Sequence, residues 1–406
     1  MTAKSAAWLS IIGIGEDGLD AVAPAGRTLI EGAEVLVGGD RHLAMIPAAH
    51  KAERLTWRTP LSDTVADLAA RRGRAVCVLA TGDPMSYGIG VTLGRAFGRD
   101  ALTVLPAPGA FSLAAAHLGW PLEDVTRLTL HGRPLSLLSA HLEPGARLFI
   151  LSENADTPAQ VAGLLTAEGY GASTVVVLEH LGGPKQRAIE GVARGWDIPA
   201  GADLNTIAVL LQPEPSATIL SKTPGLPDEA FHHDGQMTKR EIRAATLAKL
   251  MPRRGAMLWD VGAGCGSVAI EWMRAGGRAV AIERDKTRCR LIARNAASLG
   301  TPHLDLIEGP APEAYGEIKG APDAIFLGGG VSKPGMAEIA WERLAPGGML
   351  VANAVTMESE TRLAGLFADW GGDLARIAVS RLEPVGPYHG WRPLMPVTQY
   401  SIRKPV

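Results

Sequence analysis

Short apolar runs alternate with longer stretches of helical periodicity along the whole chain. In the first half the runs are Leu9–Ile14, Ala75–Ala80, Leu102–Leu105, Leu148–Leu151, Thr174–Leu178 and Thr206–Leu211. They are nearly continuous rather than alternating, the pattern of strands covered on both faces, and their spacing predicts βαβ units. After Leu211 the texture changes. Residues 212–236 are rich in proline, carry the adjacent pair His232-His233 and show no apolar period, which reads as a linker. A new pattern begins at Thr238. Thr238-Lys-Arg-Glu241 has the spacing of a capping box and predicts a helix start. The strands expected beyond it are Ala256–Val261, Ala279–Glu283, Leu304–Ile307, Ala324–Leu327 and Met349–Ala354. The motif order differs between the halves. The expected organisation is therefore a domain over 1–211, a linker over 212–236 and a second, different α/β domain over 237–406.

Composition narrows the class. A length of 406 residues exceeds one ordinary domain. Lys plus Arg number 40 against 42 Asp plus Glu, and aromatics are 5%, so neither a polyanion-binding face nor a base-stacking surface is expected; no nucleic-acid partner is foreseen. Cys77, Cys265 and Cys289 lie far apart without a CxxC pair, which implies reduced thiols of a cytoplasmic protein with no metal or disulfide framework. No apolar run reaches the roughly 20 residues that span a bilayer. The segment Met1–Trp8 lacks the apolar core of a signal peptide, so none is expected.

The strongest local signal is Leu258-Trp-Asp-Val-Gly-Ala-Gly-Cys-Gly-Ser267, a strand running into a glycine turn and then a helix over Val268–Arg274. Asp260 closes the strand, Gly262, Ala263, Gly264, Cys265 and Gly266 form the turn, and the next strand ends in Glu283. That acid is about 20 residues on, the spacing of a carboxylate that grips a ribose diol. A dinucleotide site would favour GxGxxG with a pyrophosphate at the helix N-terminus. Here an acid precedes GxGxG. It would repel a pyrophosphate and suit a cation, although an NAD-dependent oxidoreductase remains an alternative reading. The run resembles the first motif of the class I S-adenosylmethionine (SAM) methyltransferases. Asp323 before Ala324–Leu327, the Gly328-Gly-Gly330 turn and Leu344-Ala-Pro-Gly-Gly-Met-Leu350 resemble later parts of that Rossmann-like fold. Met237-Thr-Lys-Arg-Glu-Ile-Arg243 sharpens the resemblance to C15-methylating, decarboxylating enzymes of the corrin pathway. The resemblance implies that Thr238 lies over the SAM site and that Glu308-Gly-Pro-Ala311-Pro312 contacts the adenine.

In the first half, Gly13-Ile-Gly-Glu-Asp-Gly18, Leu79-Ala-Thr-Gly-Asp-Pro-Met-Ser-Tyr-Gly88 and Leu105-Pro-Ala-Pro-Gly-Ala-Phe-Ser-Leu-Ala-Ala115 follow strands in order. Together they resemble the tetrapyrrole methylases, the class III methyltransferases. Leu130-His-Gly-Arg133, Leu151-Ser-Glu-Asn-Ala-Asp-Thr-Pro158 and Glu179-His-Leu-Gly-Gly183 are similar to the C5-methylating enzymes of the corrin pathway. The resemblance implies a two-lobed fold that holds SAM through loop residues Gly82, Asp83, Pro84, Pro108, Gly109 and Ser112. Two departures stand out: Glu16 occupies a position where many relatives carry proline, and Pro184-Lys-Gln-Arg187 is unusually basic. Asp83 and His131 are the candidate catalytic groups. Each has a plain alternative, a turn-closing aspartate and a strand-end histidine.

Taken together, the resemblances imply two SAM sites per chain. They further imply methylation of a precorrin at C5 and C15, with loss of the C12 acetate carboxyl, in cobalamin biosynthesis. A different tetrapyrrole substrate remains open. Such a substrate is rich in carboxylates, so cations should rim each cleft. Lys239, Arg240, Arg243, Arg381, His389 and Arg392 are the candidates, with Lys239, Arg243 and Arg381 foremost. Relatives of both halves assemble, so a homodimer or homotetramer is expected.

Overall fold

The computed structural model describes residues 7–406; residues 1–6, within the segment where no signal peptide is expected, lie outside it. The chain divides into two compact units. One comprises the residues up to Arg133 together with Pro144–Thr218; the other comprises Pro134–Glu143 and Ile219–Val406.

The first unit holds two sheets. Strands β1 (Leu9–Ile14), β2 (Val35–Val37), β3 (Glu53–Leu55), β4 (Val76–Thr81) and β5 (Leu102–Leu105) form a parallel sheet in the order β3-β2-β4-β1-β5. Its two faces explain the continuous apolar runs. Ile12, Ile14, Leu36, Cys77 and Leu79 pack on one side, and Leu9, Ile11, Val35, Val37, Val76 and Val78 on the other. The second sheet contains β6 (Val125–Thr129), β7 (Arg147–Leu151), β8 (Thr174–Glu179), β9 (Arg187–Val192) and β10 (Asn205–Leu210), in the order β6-β7-β10-β8-β9. Here the βαβ expectation is corrected. Only β6 and β7 run parallel; β7–β10, β10–β8 and β8–β9 are antiparallel. The mostly exposed β9 hairpins back beside β8, and β10 runs in the same direction as β9, inserted between β7 and β8.

The second unit is built on β11 (Met257–Val261), β12 (Arg278–Glu283), β13 (Asp305–Glu308), β14 (Ala324–Leu327), β15 (Met349–Ala354), β16 (Asp373–Ile377) and β19 (Val397–Arg403). Their order is β13-β12-β11-β14-β15-β19-β16. The five strands from β13 to β15 in that order are parallel, and β19 is antiparallel to both its neighbours. Order reverses between β11 and β14, where ligands bind in open α/β sheets. Between β16 and β19 the chain makes a separate hairpin, β17 (Ser380–Val385) and β18 (Tyr388–Pro393).

Two local expectations change. The segment 212–236 contributes Leu226 and Phe231 to a buried cluster with Cys265 and Ile270. The helix after it runs Arg240–Leu250, with Lys239 at its N-cap and no side-chain capping bond. The capping box is therefore not formed: the Thr238 carbonyl accepts from Arg243 at 2.6 Å, and Glu241 turns to Arg381 at 2.9 Å. Among the described residues no helix is long and apolar enough to cross a membrane.

Candidate active sites

In the first unit, the loops after β1, β4 and β5 converge at the C-terminal edge of the parallel sheet. The contact is backbone to backbone. The Gly82 N–H donates to the Ile14 carbonyl at 2.9 Å, and the Ala107 N–H donates to the Gly82 carbonyl at 3.1 Å. Gly82 has φ +56°, and a Cβ there would sit 3.0 Å from the Gly109 Cα, so a side chain is excluded on two counts. Asp83 Oδ1 accepts the Met85 N–H at 2.8 Å, which closes the turn on itself. Pro84 is buried, whereas Pro108 and Ser112 face outward on the neighbouring loop and at the first turn of the helix Ala110–Leu118. The fold thus brings Gly82, Asp83, Pro84, Pro108 and Gly109 into one cradle of backbone groups. His131 stands apart in the turn after β6, three-quarters exposed and 3.3 Å from Glu153.

Two residues of this region were not singled out as site residues in the sequence. Tyr87 has φ +55° and half its surface exposed, and its hydroxyl donates to the Arg127 carbonyl of β6 at 2.8 Å. It ties the Gly-Asp-Pro loop to the second sheet, and only its place within that motif marked it. Glu16 pairs with Arg41 and, at 2.9 Å, with His180.

The second unit gathers its predicted residues more tightly. Gly262, Gly264 and Gly266 all lie in the left-handed region, and a Cβ on Gly262 would come within 3.2 Å of the Gly329 nitrogen, in the loop after β14. Glu283, at the end of β12, is buried. Its carboxylate accepts the Gly264 N–H at 2.9 Å and the Asp285 N–H at 3.0 Å. A carboxylate has about four lone-pair sites, so capacity for a diol remains. Asp260 is 1% exposed. One oxygen accepts the Ala269 N–H at 2.9 Å, while Oδ1 is buried without a partner among the described residues. Burial pushes its carboxyl up to about 7; the nearby Glu283 charge adds to the rise and the Ala269 bond opposes it. An unpartnered buried acceptor beside a second acid suits a cationic ligand and opposes a pyrophosphate. The Gln236 carbonyl lies 3.6 Å from where a Gly264 Cβ would be, so the segment leading to Thr238 covers the glycine turn. Ala311 is buried in the loop after β13, its carbonyl 3.4 Å from Lys333 Nζ. Cys265 is buried, and burial raises its thiol. The residues present therefore fit a positively charged nucleoside ligand such as SAM.

The rim cations divide. Arg243 does not face a cleft. It is fully buried, pairs with Glu271 at 2.5 Å and Asp228 at 3.1 Å, and lies over the Phe231 ring. Apolar neighbours on the Arg240–Leu250 helix turn it inward, where it bridges two buried acids. Arg381 is one-third exposed but engaged with Asp228 and Glu241, and Arg392 pairs with Glu383 at 3.1 Å. Lys239 is half-buried, at the N-cap, while Arg240 and His389 are exposed.

Known proteins match in two successive stretches of the chain. Residues 9–195 match the family of tetrapyrrole (corrin/porphyrin) methylases, and residues 229–404 match the precorrin methyltransferase domain. A precorrin-6Y C(5,15)-methyltransferase [decarboxylating] from Sinorhizobium sp is 45% identical over 98% of this chain and 96% of its own length. A probable cobalt-precorrin-6B C(15)-methyltransferase (decarboxylating) from Pyrobaculum calidifontis is 38% identical over 43% of this chain and 93% of its own. A cobalt-precorrin-7 C(5)-methyltransferase from Salmonella typhimurium is 32% identical over 50% of this chain and 98% of its own. With near-complete coverage in both directions at that identity, the chain belongs to the family of decarboxylating precorrin-6Y C(5,15)-methyltransferases.

Proposed function

We propose that this chain methylates precorrin-6Y at C5 and C15 with SAM and removes the C12 acetate carboxyl, giving precorrin-8X. The observation that carries the proposal is full-length kinship to a decarboxylating C(5,15)-methyltransferase, joined to a different glycine-lined site in each half. We assign C5 methylation to 1–211 and C15 methylation with decarboxylation to 237–406, each with its own SAM.

Bound SAM supplies an activated methyl group on a sulfonium. The chain's residues do the rest. In the first unit, Gly82, Asp83, Pro84, Pro108, Gly109 and Ser112 hold the cofactor through loop backbone, and Asp83 and His131 are the groups available to take up a proton. In the second, Glu283 holds the ribose, Asp260 faces the cationic end, the turn 262–266 lies against the nucleoside, and Thr238 and Ala311 close over it. Lys239 and Arg381 are the cations offered to substrate carboxylates. Decarboxylation asks little of the protein: the macrocycle accepts the electrons, and the pocket has only to hold the acetate in place.

We also infer self-association through the β17–β18 hairpin. A lone two-stranded hairpin is marginal in water, and this one exposes the cross-strand pair Leu382 (55%) and Trp391 (72%) on one face and Val385 (62%) and Tyr388 (75%) on the other. A second copy of the Leu382–Trp391 face would cover it.

Incubation of precorrin-6Y with SAM and the purified chain tests the reaction by mass. Two added methyls with one carbon dioxide lost are expected. Methylation without that loss would overturn the decarboxylating assignment, and an unchanged substrate with SAM bound would overturn the substrate.

A further inference from the structure

The side chain of Glu16 sits where the two sheets of the first unit face each other, and neither proposed SAM site includes it. It follows β1, in the first cofactor loop. One carboxylate oxygen pairs with Arg41, at the start of the helix Asp40–Met45; the other accepts His180 Nδ1 at 2.9 Å, in the turn after β8. The first partner belongs to the parallel sheet's side and the second to the other sheet. The group is largely sheltered: the side chains of Glu16, His180 and Arg41 are 18, 26 and 37% exposed. Approach is close, since a Cβ on Gly183 would lie 2.5 Å from the Glu16 Cβ. Arg41 also donates to Thr81 Oγ1 at 3.3 Å, and Thr81 immediately precedes Gly82.

His180 is held in an uncommon backbone. Its φ is +49°, and its N–H and carbonyl are tied to the Leu204 carbonyl at 3.1 Å and the Gly183 N–H at 3.0 Å. Non-glycine residues avoid that region, and where they occupy it the surroundings must hold them there. The consequence is a continuous path from the β8 turn through His180, Glu16 and Arg41 to the Gly-Asp-Pro loop. An incidental surface ion pair would not be sheltered, would not join two sheets and would not end one residue from a cofactor loop.

We propose that Glu16 is a positioning residue that clasps the two sheets of the first unit around its cofactor loops through Arg41 and His180. Glu16 itself touches neither methyl donor nor acceptor. It sets the distance between the loops that do, so its loss weakens SAM binding in that unit without changing the chemistry of transfer.

The inference rests on the two-site reading, and titration of the full chain with SAM separates the two. Two sites in the wild-type chain uphold that reading; one or none overturns it, whatever Glu16 does. Glu16→Gln is expected to weaken one site about tenfold, the scale of one partly sheltered charge-assisted hydrogen bond, and to leave the other within about twofold. The KM for SAM in C5 transfer should rise in step while kcat stays nearly constant. His180→Gln should do the same, and the double variant should be no worse than Glu16→Gln alone, because both substitutions remove the Glu16–His180 contact. His180→Lys, which places an ammonium group opposite Glu16, should restore binding. Two unchanged sites in Glu16→Gln, or additive losses in the double variant, overturn the clasp. Should Glu16→Gln lose both sites through misfolding, the His180 pair decides: weak binding in His180→Gln with recovery in His180→Lys supports it, and equal binding in the two overturns it.

Discussion

Replacing Asp260 by Asn should make the second unit more stable as pH rises, relative to the wild-type chain. The carboxyl is fully buried, one oxygen has no partner, and its titration is pushed up to about 7. An unfolded chain titrates the same group near ~3.9. Between those values the unfolded state has released the proton and the folded state has not. Stability is therefore lost as pH rises, by about 1.36 kcal/mol per pH unit, and the loss ends above the folded value. Across the roughly three pH units of the gap this amounts to about 4 kcal/mol. Asn keeps an acceptor for the Ala269 N–H but buries an unpartnered N–H₂. That adds a constant cost of about 1–3 kcal/mol, which cancels when the two proteins are compared across pH. Urea unfolding followed by the emission of the buried Trp259 and Trp272, from pH 5 to 8, measures the difference. It should swing in favour of Asp260→Asn by about 1.4 kcal/mol per pH unit up to pH 7 and then level off. Parallel stability curves for the two proteins would refute the reasoning.

Gly82→Ala places a Cβ at positive φ against Gly109; on the two-site reading, SAM binding in the first unit should weaken about five- to thirtyfold in calorimetric titration, for a backbone cost of about 1–2 kcal/mol, with the second unit unchanged. Arg243→Met leaves the buried Glu271 with only the Gly225 and Leu226 N–H bonds, while Asp228 keeps Arg381, and should cost about 3 kcal/mol of stability in urea unfolding; a loss under about 1 kcal/mol would show that Glu271 finds another partner. Trp391→Asp, on the exposed hairpin face, should leave a single chain in solution by light scattering if the wild-type chain assembles there, and an unchanged mass would move the interface elsewhere.

How much was legible depended on burial on two faces. Strands such as β1, β14 and β15 were readable to the residue because both their faces meet core. The half-exposed strands were not: β9, β16 and the β17–β18 hairpin carry charges and prolines in place of an apolar run. The glycine turn, Asp260 and Glu283 could be placed from sequence because strand ends fix their positions. Arg243 could not be placed. A cation in a charged heptapeptide reads as surface, and only the three-dimensional approach of Asp228 and Glu271 makes burial tolerable. Glu16 was visible as a departure from its family, but its meaning lies in His180, 164 residues away. The segment 212–236 shows the limit of composition: proline content signals irregular backbone, not whether Leu226, Asp228 and Phe231 are packed.

If each half holds its own SAM, as proposed, the two meet one ligand problem with different electrostatics, and this has a measurable consequence. In the first unit the cradle is loop backbone, and Asp83 spends one oxygen on its own turn. In the second, two carboxylates are buried before any cation arrives, and one is held near the titration midpoint at neutral pH. An arriving cation favours the ionised form of Asp260, so binding there should release a proton whenever the free protein still holds one. Affinity of the second site should then rise by up to about tenfold per pH unit below pH 7 and flatten above it. The cost of the empty pocket is relieved on binding, so SAM should raise the melting temperature of the second unit more at pH 8 than at pH 6. Calorimetry in two buffers of different ionisation enthalpy counts the protons directly. Uptake of a proton, or none at pH 6, would mean that Asp260 stays neutral in the complex and that the ligand's charge is met elsewhere.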